Sequence, residues 1–349
     1  MLPSVAVVGA TGAVGEVMRQ LLIERAFPLR AIKFLASERS AGKPVLFKGQ
    51  TIPIEPLRAE AFVGVDLVLS STPASVSREW SPVAARAGAV VVDNSSAWRM
   101  DPDVPLVVPE VNAGALARIP KGIVANPNCS TIQMVVALKP LHDLARIKRI
   151  VVCTYQASSG KGAKGLADLD AQLAALGRGE PVPAASAHAD RLAGNVLPHD
   201  WKLGEDGYSE EEWKMIRETR KIMGDDSILV SPTTARVPVR TGHAEAVNVE
   251  FHHPITVEQA RAALASAPGV VLRDDYAKGE VPLPLTAEGR DEVFVGRVRR
   301  DPTVPYGLNL WVVADNLRKG AATNAVQIAE ELLRRGLVKP GARRAAATV

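Results

Sequence analysis

Only two cysteines, Cys129 and Cys153, occur in 349 residues, which excludes a disulfide framework and a thiolate metal centre. Each thiol is therefore either packing or chemistry, and no metal is expected. A block of like charge is also missing. The 42 Lys and Arg are interspersed with 38 Asp and Glu for a net charge of +4, so no basic stripe for nucleic acid exists and small anionic molecules are the better partners. No apolar run approaches the roughly 18 residues that a spanning helix needs, and no membrane partner is expected. The segment 1–15 carries no charge, yet no basic stretch precedes it and Gly9, Gly12 and Gly15 interrupt it. A cleaved leader is therefore not expected, and a cytoplasmic location is.

What is present suits about two domains. Short apolar runs at 5–8, 32–36, 66–70, 90–93 and 123–125 alternate with helix-like stretches, the pattern of a parallel sheet with crossover helices. The clearest helix covers 12–24, with Val14, Val17, Met18, Leu21 and Leu22 on one side. From residue 150 onward the strands become longer and more polar, as at 150–156 and 244–251, which marks a second domain. The Ala-rich segment 165–195 reads as small helices or an oligomer contact. A last amphipathic helix covers 319–335, with Gly336 as its stop, and the tail 340–349 reads as disordered. The expected fold is α/β: a Rossmann-type dinucleotide domain over 1–128 with a returning C-terminal helix within 317–338, and an α+β domain over 129–316.

The run at 5–8 leads directly into Gly9-Ala10-Thr11-Gly12-Ala13-Val14-Gly15 and then a helix, the context that a dinucleotide fingerprint requires. Glycines let the backbone approach a pyrophosphate, and the helix start supplies N–H donors. The spacing is G-x-x-G-x-x-G, a variant of the usual form. After the second apolar run come Ser37-Glu38-Arg39-Ser40, where an adenosine ribose would lie. Arg39 with Ser37 and Ser40 can hold a 2′-phosphate, which favours NADP, whereas Glu38 pulls toward NAD.

The segment Asn126-Pro127-Asn128-Cys129-Ser130-Thr131 separates the run at 123–125 from an apolar helix expected over 132–138. Asn128 is a good N-cap, which puts Cys129 in the first helical turn, where the helix dipole supports a thiolate nucleophile. Cys153, inside an apolar strand, reads instead as a small buried hydrophobe. Among six histidines, His243 stands between Gly242 and Ala244, close after Arg236, and suits acid/base work because histidine titrates near neutral pH. His252 and His253 read as surface turn residues, and His142, His188 and His199 as structural or surface positions.

Together these segments resemble the bacterial type of aspartate-semialdehyde dehydrogenase. The matching pieces are 9–15, 37–42, Ser70-Ser71-Thr72-Pro73, 93–99, 126–133, 154–160, 211–222, 236–245 and 315–325, spread over most of the chain. The resemblance implies a second domain used for catalysis and dimerisation. It implies NADPH-dependent reduction of L-aspartyl-4-phosphate to aspartate semialdehyde and phosphate, in lysine, methionine and threonine biosynthesis. It also implies a homodimer, with a homotetramer as the larger alternative. Cys129 then corresponds to the nucleophile, His243 to the acid/base that removes the hydroxyl proton of the thiohemiacetal, and Gln156 to the residue orienting the acyl intermediate. Arg236 corresponds to the clamp on the substrate α-carboxylate, Glu211 to the acid holding the α-amino group, and Arg99 and Lys214 to phosphate contacts. Asn128 falls on the substrate side. Gly9, Thr11, Gly12, Ala13, Val14, Ser37, Arg39, Ser40, Thr72, Ser159, Gly160 and Asn316 fall on the cofactor side. Glu38 departs from the family, which more often has a small residue there, and the extension after Lys339 lies outside the shared pattern.

Three other readings compete. A reductase of N-acetyl-glutamyl-phosphate shares fold and thiol, but segments 211–214 and 154–160 favour the aspartyl substrate. A non-catalytic NADP-binding protein leaves the set of Cys129, Gln156, Arg236 and His243 without purpose. A cysteine hydrolase leaves the glycine turn and Arg39 unexplained.

Overall fold

The computed structural model describes residues 1–198 and 202–341. The chain divides into two compact units, Met1–Pro127 with the chain from Ala321 onward, and Asn128–Gly320.

The first unit opens with β1 (Ser4–Val8), α1 (Ala13–Glu24) and β2 (Ala31–Ala36). A small hairpin follows, β3 (Pro44–Phe47) with β4 (Gln50–Pro53), and then β5 (Glu55–Pro56), β6 (Leu67–Ser70), α2 (Ala74–Arg86), β7 (Val90–Asp93), α3 (Pro109–Asn112) and β8 (Ile123–Ala125). The order β5-β2-β1-β6-β7-β8 is parallel throughout. Strands covered on both faces need apolar residues at successive positions, which is why Ser-Val-Ala-Val-Val in β1 is buried along its whole length. The chain starts at β1, works outward to β5 and returns beside β1 with β6. The crevice of such a sheet therefore opens at the carboxyl ends of β1 and β6.

The second unit comprises α4 (Cys129–Ala145), β9 (Ile147–Gln156), α5 (Gly162–Arg178), α6 (Glu210–Met223), β10 (Leu229–Arg236) and β11 (His243–Phe251). It continues with α7 (Val257–Ser266), β12 (Val270–Leu272), α8 (Pro284–Ala287), β13 (Val293–Arg300) and β14 (Gly307–Ala314). Its sheet has the mixed order β10-β9-β11-β14-β13-β12. One face is closed by α4, whose residues from Ser130 to Leu138 are all buried. On the other face Val151, Cys153 and Tyr155 of β9 are only half-buried, and Tyr155 meets Trp311 with ring centroids 5.5 Å apart.

The last helix, α9 (Thr323–Arg334), rejoins the first unit. Its Ala325, Val326, Ile328, Ala329 and Leu332 share a core with Val7, Met18, Leu21 and Leu69. Each fully buried Val, Leu or Ile of this kind contributes about 1.5–3 kcal/mol.

Several expectations need correction. The helix expected over 132–138 runs on to Ala145 through Pro140, because burial compensates for the hydrogen bond that proline cannot donate. The segment 165–195 forms one long helix, α5, followed by irregular chain. The helix expected within 317–338 starts as a π-turn, Arg318–Ala322, and becomes α-helical at Thr323. Cys153 is half-buried where a buried packing residue was expected, since it alternates onto the less covered face of β9. His199 and residues 342–349, which hold most of the expected tail, lie outside the described residues. No helix among the described residues is long and apolar enough to cross a membrane.

Candidate active site

In the first unit the loop after β1 is built for close approach. Gly9 has φ +80°, and a methyl group added there would lie 2.2 Å from the Ser71 carbonyl oxygen and 3.3 Å from Thr72 Cγ2. The loops following β1 and β6 thus touch at the crevice, and only glycine fits. Thr11 and Gly12 are exposed at the start of α1, and the N-cap Gly12 offers no side chain to occupy the first N–H groups. Those donors suit a pyrophosphate. After β2, Ser37 and Arg39 are exposed beside Ser40, and Glu38 pairs with Arg58 at 2.9 Å. That pairing offsets the acid that argued for NAD, so the residues present fit an NADP adenosine end.

Arg99 is held by backbone. Its Nε donates to the Asn126 carbonyl at 3.0 Å and its Nη2 to the Asn94 carbonyl at 2.9 Å. The turn that carries it is pinned by buried Asp93, which accepts Ser77 Oγ (2.6 Å), Ser81 Oγ (2.9 Å), Ser95 Oγ (2.5 Å) and the Ser95 N–H (2.8 Å). Sequence reasoning missed Asp93 as a support, although Asp93-Asn94-Ser95-Ser96 is a run of turn-forming residues.

In the second unit three expected residues meet at one sheet edge. β9 and β10 run parallel and end on paired Gln156 and Arg236, while antiparallel β11 begins there with His243. His243 is fully buried, and its Nδ1 accepts the Ala157 N–H at 3.0 Å. In the neutral ring the proton therefore sits on Nε2. Arg236 Nη1 donates to the Ala157 carbonyl at 2.8 Å. A methyl group on Gly160 would lie 2.6 Å from Arg236 Nη1 and 3.4 Å from His243 Cε1, so guanidinium and imidazole both border that glycine. Asn316 Oδ1 accepts Ser159 Oγ and the Gly242 N–H, each at 3.0 Å, which ties the loop after β9 to the turn before His243.

Asn128 caps α4 as expected, accepting the Ser130 and Thr131 N–H groups at 3.1 and 3.2 Å. Cys129 stands half-buried in the first turn, where the dipole favours its thiolate. A methyl group on Gly320 would come within 2.9 Å of Cys129 Cβ, so that glycine clears the space behind the thiol. Gln156 Nε2 donates to Ser130 Oγ at 2.7 Å and to Glu211 Oε1 at 3.2 Å. Glu211 Oε1 also accepts Asn128 Nδ2 at 2.7 Å, and Lys214 Nζ lies 3.5 Å from Glu211 Oε2. A capping box between Ser209 and Glu212 fixes the turn of α6 that carries Glu211 and Lys214. Cys129, Asn128, Gln156, Glu211 and Lys214 are thereby linked, and Arg236 and His243 are joined to them through the end of β9.

Two further acids were not foreseen. Glu218 is buried beside Asn128, and Glu245 is fully buried on β11, two residues after His243 and so on the same face of the strand. Burial pushes the Glu245 carboxyl well above the ordinary value of 4.5, opposed in part by the Gln133 amide. The folded chain therefore keeps a proton that the unfolded chain loses above about pH 4.5. Stability from this group is complete below that pH and declines by ~1.4 kcal/mol per pH unit until the raised value is reached. Glu245→Gln removes this dependence. In melting curves between pH 5 and pH 8, the Tm advantage of the variant over the parent is expected to grow with pH; a constant difference would refute a protonated Glu245.

The comparisons with known proteins agree with these units. The family model for the semialdehyde dehydrogenase NAD binding domain matches residues 4–119, and that for the semialdehyde dehydrogenase dimerisation domain matches residues 138–319. An aspartate-semialdehyde dehydrogenase from Aquifex aeolicus is 54% identical over 336 residues, covering 96% of this chain and 99% of the relative. The crystal structure of aspartate semialdehyde dehydrogenase II from Vibrio cholerae, complexed with ASA, superposes with a TM-score of 0.93 at 48% identity, covering 96% of this chain and 99% of the other. The enzyme from Candida albicans, solved with NADP, gives a TM-score of 0.77 at 25% identity and covers 97% and 100%.

Proposed function

The chain belongs to the aspartate-semialdehyde dehydrogenase family, and from that premise we propose how its residues carry out the NADPH-dependent reduction of L-aspartyl-4-phosphate to aspartate semialdehyde and phosphate. The reaction serves amino-acid biosynthesis, and NADP is the cofactor. The observation that carries the assignment of residues is the meeting of Gln156, Arg236 and His243 at one sheet edge, with Glu211 bonded to both Gln156 and the N-cap of the Cys129 helix.

Arg236 holds the substrate α-carboxylate, for which its planar fork is suited, and Glu211 holds the α-amino group. The Cys129 thiolate attacks the acyl carbon, the carbon–oxygen bond to phosphate breaks, and a thioester remains on Cys129. Arg99 and Lys214 are the cations assigned to the phosphate, which takes up the one proton that the reaction consumes. Bound NADPH supplies the hydride, held by the Gly9 to Val14 turn, Ser37, Arg39, Ser40, Thr72, Ser159, Gly160 and Asn316. The tetrahedral oxyanion on Cys129 then collapses to aldehyde and thiolate. His243 meets that oxygen as an Nε2–H donor, because Ala157 occupies Nδ1. The proton removal expected from the sequence would need the other tautomer, which sets an Nδ1–H against the Ala157 N–H.

A homodimer is the proposed assembly, supported by the dimerisation-domain match and the less covered face of the mixed sheet. A cytoplasmic location suits chemistry that needs a reduced thiol. The test is direct. With aspartate semialdehyde, NADP and phosphate, the purified chain is expected to generate reduced-nicotinamide absorbance at a rate that depends on phosphate. Phosphate-independent turnover, or turnover only on the N-acetylglutamate analogue, would overturn the reading.

A further inference from the structure

Asn128 is gripped twice by the same helix. Glu211 Oε1 takes its side-chain amide at 2.7 Å, and Glu218 Oε2 takes its backbone N–H at 2.6 Å. The two acids stand seven residues apart on α6, two turns along one face. Glu218 is 1% exposed and lies on a stretch whose Met215, Ile216 and Ile222 are buried as well. A carboxyl group buried there is unfavourable unless its bonds compensate. The other polar atoms of Asn128 are engaged too, since Oδ1 accepts from Ser130 and Thr131 and the carbonyl from the Ile132 N–H. Asn128 is thus the pivot on which the orientation of Cys129 depends.

The two grips differ in what else they must do. Glu211 Oε1 also accepts Gln156 Nε2, and in the reading above that carboxylate turns to the substrate ammonium group. A cation drawing on Glu211 weakens its hold on Asn128 at the moment when the thiolate must be aimed. Glu218 bonds a main-chain N–H, which no change of side-chain rotamer can move. We propose that Glu218 is a positioning residue that keeps the Asn128–Cys129 turn in place while Glu211 engages the substrate. The proposal rests on the assignment of Glu211 to the α-amino group.

The test compares Glu218→Ala and Glu218→Gln, the latter keeping an oxygen that can accept the Asn128 N–H. In Glu218→Ala, kcat is expected to fall about 10²-fold, the scale of a roughly 1 Å misplacement, with KM for aspartate semialdehyde changed less than about threefold. Glu218→Gln is expected to restore kcat to within about threefold of the parent. Iodoacetamide labelling of Cys129 without substrate is expected to slow little in Glu218→Ala, where Glu211 still holds Asn128, and strongly in the Glu211→Ala/Glu218→Ala pair. Where Glu218→Ala does not fold, Glu218→Met fills the space without an acceptor and takes its place. Equal loss in the Gln and Ala variants, an unchanged kcat in Ala, or a KM that rises as kcat falls overturns the proposal. If Glu211→Ala alone leaves KM unchanged, the reading of Glu211 fails instead. The labelling rates then still decide whether Glu218 holds the turn.

Discussion

Replacing Cys129 with alanine is expected to lower phosphate-dependent NADP reduction at least about 10⁴-fold, a barrier increase of ~5.5 kcal/mol. The size follows from what is lost. Without the thiol there is no thioester, and the hydride would have to displace phosphate in one step. The fold should survive, because Cys129 is half-buried and the cap made by Asn128 does not involve its side chain. NADP affinity, measured by fluorescence titration, should stay within about twofold, since the glycine turn belongs to the other compact unit. A variant that kept more than about one per cent of the rate would remove Cys129 from the chemistry.

His243 gives the second large effect. His243→Asn is expected to reduce kcat by about 10³-fold, within the 10²–10⁴ range for a lost donor or proton-transfer group. The distinguishing variant is His243→Gln, whose terminal amide reaches further along the direction of Nε2 and can still donate. If Nε2–H is a hydrogen-bond donor to the oxyanion, Gln should retain about tenfold more activity than Asn. A general base cannot be replaced by an amide, so equal losses in the two variants would mean that the ring removes a proton, contrary to the tautomer set by Ala157. Circular dichroism of both variants controls for folding, which matters for a residue with no exposed surface.

The features legible in the sequence are those made by neighbours along the chain. The glycine turn between β1 and α1, the N-cap before Cys129 and the parallel strands depend on local backbone chemistry and on runs of buried residues. Glu218 and Glu245 were hidden for the opposite reason. In Glu-Glu-Glu-Trp-Lys-Met-Ile-Arg-Glu each acid looks like one more solvated charge, and only α6 lying against the start of α4 selects Glu218. The mixed sheet was equally hard to read. The register that sets Gln156 beside Arg236 joins residues 80 positions apart in β9 and β10, and no periodicity encodes such a pairing. The far end of α4 is equally non-local, since burial carries the helix through Pro140, a residue that in an exposed helix would stop it.

The return of α9 to the first unit has a consequence in time. A ribosome makes the strands of the parallel sheet within the first 125 residues, but Ala325, Val326, Ile328, Ala329 and Leu332, which complete its core, emerge some 200 residues later. The second unit, Asn128–Gly320, is synthesised whole in between and is free to fold first. Until α9 arrives, Val7, Met18 and Leu69 lack part of their cover and the nucleotide crevice stands on an unfinished core. The growing chain is therefore most in need of protection from aggregation through its oldest residues, and the ability to bind cofactor comes last.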